Sequence, residues 1–188
     1  TQLPGTRREV EGIVALAPGR STALVGAAAT RGALRRALPG ADVVHFATYG
    51  TLNRRNPLFS HIELAPEPGS DGRLEVHDVY GLPLDARLVV LSACQTGVGS
   101  GLLADVPAGD EWVGLVQAFL AAGAERVVAT LWLVDDRATA ELMTQFHAER
   151  RTAAGDAAAL AAVQRRAIAD ARFGDPYYWA GIQLVGGL

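Results

Sequence analysis

Apolar positions along this chain follow two rhythms. Between Gly5 and Ala17, Val10, Ile13, Val14 and Leu16 recur at helical spacing, which predicts an amphipathic helix. "STALVG" reads as a short strand. "ATRGALRRALPG" reads as a helix, with Thr30 as N-cap and Pro39-Gly40 as the stop. "ADVVHFAT" and "ARLVVLSA" are near-continuous apolar runs of strand length. Between them, "NPLFSHIELAPEPGSDGRLEVHDVYG" predicts two short strands joined by a Pro/Gly/Asp turn, then one helical turn. "DEWVGLVQAFLAAGA" predicts a helix with acidic residues at its start and Gly123 at its end. A strand, "ERVVATLWLV", comes next. Two helices follow it, the first opened by Asp135 and Asp136 and the second closed by Gly174-Asp175-Pro176. "YYWAGIQLVG" reads as a last strand, with Tyr177, Tyr178 and Trp179 as packing residues. Gly97 to Gly109 is a Gly-rich loop, long enough to be functional or mobile.

Strands alternating with helices predict an α/β fold with a mostly parallel central sheet covered on both faces. In such sheets the site lies at the carboxyl ends of the strands. Tyr49, Cys94 and the turn after Trp132 all fall at such ends. The 188 residues suit one domain, and the absent start methionine suggests an excised C-terminal part of a longer chain. A formal net charge of -3 favours neither nucleic acid nor an anionic membrane. A single cysteine excludes an internal disulfide and a multi-cysteine zinc site, and no metal or other cofactor is expected. No signal-peptide core or membrane-length apolar run is present, so a cytoplasmic setting is expected. The Gly-rich stretch after Cys94 is not a P-loop, because that motif needs a lysine and the chain has none.

Four ordered stretches, "HFATYG", "LVVLSACQTGVG", "GDEWVGLVQAFLAAGAERVVATLWLVDD" and "PYYWAGIQLVG", resemble successive signatures of the CHAT domain. That family belongs with the caspase- and separase-related cysteine peptidases. The resemblance runs from "LPGTRREVEGI" to "GIQLVGG" and implies a caspase-like αβα sandwich with a small β-hairpin insertion. It also implies a protein or peptide as substrate or partner. CHAT domains are often joined to upstream tetratricopeptide repeats, which fits an excised C-terminal domain.

The resemblance places the nucleophile at Cys94, the oxyanion donors at the backbone amides of Gly50 and Cys94, and the general base at position 49. The family pattern there is His-x-Ala-x-His-Gly; this chain has His45 in place and Tyr49 where the second histidine belongs. A free thiol with a pKa of about 8.5 is only about 3% thiolate at neutral pH, so a nearby base matters. A tyrosine with a pKa of about 10 keeps its own proton and cannot readily take one from the thiol. Loss of a residue acting as one unit with the nucleophile costs up to about a millionfold in turnover.

The other histidines are candidates for a substitute base. His45 lies about 13 Å deeper along the strand and reads as a buried, hydrogen-bonded residue. His61 opens the hairpin strand; it is expected to be exposed there, yet it is the best candidate for rescue. His77 reads as a cap or surface group, and His147 as solvent-facing on its helix. For a substrate pocket, the resemblance offers Ser92, two residues before Cys94. Asp110, Glu111 and Trp132 are further candidates. The two carboxylates suit a basic side chain, or else they only cap the helix that they begin. Two readings stand: an impaired or inactive peptidase-like domain that works by binding protein, or an active cysteine endopeptidase using Cys94 with another base such as His61.

Overall fold

The computed structural model describes residues 4–51, 53, 56–95, 110–132 and 135–187. Helix α1 (Pro4–Leu16) carries the predicted apolar stripe, with proline at its first position. Helix α2 (Arg31–Ala37) is capped as expected: the Thr30 hydroxyl accepts from the Ala33 amide at 3.1 Å. Strand β1 (Val43–Thr51) follows, then the hairpin of β2 (His61–Glu63) and β3 (Arg73–Glu75). The predicted helical turn is α3 (Val76–Val79). Strand β4 (Leu88–Gln95), helix α4 (Asp110–Ala121) and strand β5 (Arg126–Thr130) come next. Helices α5 (Asp136–Glu149), α6 (Asp156–Ala169) and α7 (Pro176–Trp179) then lead to β6 (Ile182–Gly186).

The six strands form one sheet in the order β3-β2-β1-β4-β5-β6. It is mixed rather than mostly parallel. β1 and β4 pair in parallel, as do β4 and β5, but β2, β3 and β6 each join antiparallel. The hairpin explains the first two departures. The third follows from helix count. α5 carries the chain away from the end of β5 and α6 brings it back, so β6 starts beside Thr130 and runs the other way, with Thr130 opposite Ile182. Two further expectations are corrected. Residues 21–25, expected as a short strand, join no ladder among the described residues. Tyr177, Tyr178 and Trp179 form α7 rather than the start of the last strand; the Asp175 side chain caps them into a helical turn.

Helices cover both faces of the sheet. On one face Val44, Phe46, Val89, Leu91 and Val127 pack against α2, α3 and α4, with Phe119 at the centre. On the other, Leu88, Val90, Val128 and Ile182 pack against α5 and α6 around Phe146 and Leu160. α1 lies along α5 on this second face. Their approach is close because glycines face the contact. A Cβ at Gly5 would fall 2.4 Å from the Asp136 carboxylate, and one at Gly12 3.0 Å from Thr144. α4 ends where Gly123 takes φ +116°, and a side chain there would strike the Leu84 carbonyl.

Candidate functional site

The parallel register sets the site. β1 and β4 align residue by residue from Val43 opposite Leu88 to Gly50 opposite Gln95. Tyr49 therefore stands directly opposite Cys94, and Ala47 opposite Ser92, at the carboxyl end of the sheet. Neighbouring strands run about 4.8 Å apart, so positions 49 and 94 are within reach of one another. The Gly97 to Gly109 loop lies outside the described residues, as do the side chains of Cys94, Asp110 and Glu111.

Gly50 is buried and has ladder neighbours on both sides, Gln95 in β4 and Ile62 in β2. Strand β1 continues past it to Thr51. Ser92 is buried, and its hydroxyl has no hydrogen-bond partner among the described residues. Leaving a buried hydroxyl unmet costs about 1–3 kcal/mol. Trp132 lies just past β5, half-buried, and its indole N–H donates to the Tyr177 carbonyl at 3.0 Å. Its ring covers Gly181 so closely that a Cβ there would sit 2.7 Å from it. Trp132 therefore braces α7 and the start of β6 as well as standing near the strand ends. Asp135 caps α5 by accepting from the Ala138 amide at 2.9 Å. Asp136 reaches across to accept from the Gly5 amide at 2.7 Å, so it serves the first turn of α1 instead of its own helix.

All four histidines of the chain are described, and each is engaged. His45 lies on the face of β1 turned toward α1 and α5. Its Nε2 is 2.9 Å from Glu9 Oε1, and its Nδ1 is 3.1 Å from His147 Nε2. Glu9 is buried between the two glycines of α1. His147 is buried as well, correcting the expectation that it faces solvent. Burial, followed by the neighbouring His45 and Arg150, pushes its pKa down to about 2. It is therefore neutral, and a consistent proton order has His147 donating to His45 and His45 donating to Glu9.

His61 is also buried, where exposure was expected. It stands opposite Thr51 on the far side of β1 from β4. Two strand spacings and two residues of offset put its Cα about 12 Å from that of Cys94. Its ring nitrogens face two acceptors, the Phe59 carbonyl at 3.1 Å and Glu63 Oε1 at 3.0 Å. A neutral ring can donate to only one of these at a time. His77 sits half-exposed on α3 beside Glu75, consistent with a surface group. Those two and Asp78 gather around the start of α3, where Glu75 is the N-cap and Arg31 pairs with Asp78.

The sequence carried signals for the buried relay that were easy to pass over. His147 falls four residues after Met143 and five after Leu142, on the apolar face of α5. Glu9 lies midway between Gly5 and Gly12, on the close-packed face of α1.

A family model, the CHAT domain, matches residues 1–187, nearly the whole chain. The chain belongs to the CHAT family. Its relatives include two proteins called tetratricopeptide repeat protein 28. The human one is 30% identical and the mouse one 29%, each over 87% of this chain. The CHAT domain described here spans only about 8% of the length of either relative. None of its helices, among the described residues, is long and apolar enough to cross a membrane.

Proposed function

We propose that this CHAT domain keeps the frame of a caspase-like cysteine peptidase but lacks its base, and works by holding a protein partner at the strand ends. One observation carries the reading: Tyr49 occupies the position opposite Cys94, while every histidine is committed elsewhere. A phenol cannot take the thiol proton near neutral pH. Gly50 supports the same reading, since a donor to an oxyanion would have to leave a position flanked by strands on both sides. On this reading the domain is joined to upstream repeats of the kind that name its relatives, and both take part in protein recognition. Its setting is cytoplasmic.

The test is cleavage of an unfolded protein such as casein by the natural chain, by Cys94→Ser and by Tyr49→His. The expected result is no Cys94-dependent cleavage by the natural chain, with activity gained only by Tyr49→His. Cleavage by the natural chain that Cys94→Ser abolishes would overturn the proposal and return the peptidase reading.

A further inference from the structure

Strand β1 pairs with β4 over its length on one side, but on the other it meets β2 only at Gly50 and Thr51. Residues 43–49 therefore keep an unpaired edge among the described residues, about 23 Å long. The edge lines a groove of about 1680 Å³, larger than the roughly 300–1,000 Å³ of small-molecule sites. Helix α1 lies over one face of the sheet and α2 over the other, and both turn apolar residues to the groove. Val10, Ile13 and Val14 of α1 line it; they are only half-buried and belong to neither core cluster. Leu34 and Leu38 of α2 line it as well. Glu63 to Pro66 line the end near Thr48, whose hydroxyl donates to the Glu63 carbonyl at 2.8 Å.

The other end, where β1 begins, is cationic. Arg20, Arg87, Arg150 and Arg151 line the groove, and Asp42 lies just before the strand. The Asp42 carboxyl is held below its usual range by the Arg87 hydrogen bond first, then by the charges of Arg87, Arg150 and Arg20, so these groups share one place. Arg87 is matched by Asp42, and Arg150 by Asp156. Arg20 and Arg151 are exposed and make no ion pair among the described residues. Two positive charges are thus unmatched here, on a chain whose formal net charge is -3.

Each feature selects a property of the occupant. Unpaired N–H and C=O groups along an edge call for an extended backbone. A strand beside β1 would send its side chains alternately toward α1 and α2. Both are apolar there, which calls for a near-continuous run of Val, Ile and Leu. The unmatched arginines call for carboxylates at the end beside Asp42. We propose that the groove takes an extended segment of a partner protein as an added strand along residues 43–49, with an aliphatic run between α1 and α2 and acidic residues at Arg20 and Arg151. This site lies on the side of β1 away from β4, and its binding does not depend on how Cys94 reacts.

The experiment uses two fluorescent probe peptides, EEEVIVLV and its reverse VLVIVEEE, which put the carboxylates at the same end of the groove in the two possible strand directions. Fluorescence anisotropy with the natural chain is expected to show saturable binding of at least one of them. Replacing its three glutamates by lysine should weaken binding at least about tenfold, and so should the double variant Arg20→Glu, Arg151→Glu, whose exposed positions leave the fold intact by circular dichroism. Methylating alternate backbone nitrogens of the probe should abolish binding, because it removes the strand hydrogen bonds. In hydrogen exchange, the bound probe should slow residues 43–49 at least about tenfold and leave 88–92 unchanged. Failure of both acidic probes to bind would overturn the proposal, as would equal binding of the lysine probe or unchanged exchange at 43–49. Protection of 43–49 in the free chain would overturn it too. If that protection rises with protein concentration, a second copy occupies the groove; if it does not, the chain covers its own edge.

Discussion

The buried pair of His45 and His147 makes a pH prediction with a definite sign. His147 has an ordinary pKa of 6.5, lowered to about 2 in the fold chiefly by burial. Below pH 6.5 the unfolded chain binds a proton there that the native chain refuses. The contribution is fully present above 6.5 and is lost progressively as pH falls toward 2. Two pH units below the ordinary value, at about pH 4.5, one such site lowers stability by about 2.7 kcal/mol relative to neutral pH. His147→Gln removes the titration but keeps an amide N–H near the place of Nε2, which can still donate to His45 Nδ1. Urea unfolding of both proteins at about pH 7 and about pH 4.5, followed by tryptophan fluorescence, measures the difference. The variant is expected to be the less stable of the two at neutral pH, through lost ring packing, and to lose about 2–3 kcal/mol less than the natural chain on acidification. Parallel losses in the two proteins would refute the claim that His147 is held neutral by burial.

Three glycine substitutions probe the supports of the site. Gly5→Ala drives a methyl into the Asp136 carboxylate and should cost about 1–3 kcal/mol, read as a lowered urea midpoint. Gly123→Ala meets both the Leu84 carbonyl and φ +116°, and should destabilise by at least about 2 kcal/mol in the same assay. Gly181→Ala should displace the Trp132 ring, shifting tryptophan emission to the red more than it lowers stability; an unchanged spectrum would contradict the packing described for Trp132.

Much of the fold was legible in local pattern. The stripe of α1, the Thr30 and Asp135 caps and the hairpin of β2 and β3 all follow from residue spacing and cap chemistry. The direction of β6 was not, because it depends on two helices packing as a pair before the chain returns. At the site, sequence fixes which residues end the strands, and the register then sets Tyr49 opposite Cys94. The histidines were harder. His61 and His147 were expected at the surface on sequence position alone, whereas burial is decided by partners distant in sequence or across the sheet. His147 meets His45 from more than a hundred residues away.

The central claim is that the position opposite Cys94 lacks a base. It is tested most directly by the alkylation rate of that thiol against pH, in the natural chain and in Tyr49→His. The chain has one cysteine, so the signal has a single source. The account predicts an apparent pKa at or above about 8.5 in the natural chain, falling below about 7 when histidine stands at position 49. A pKa already below about 7 in the natural chain would contradict it, and would mean that another group stabilises the thiolate.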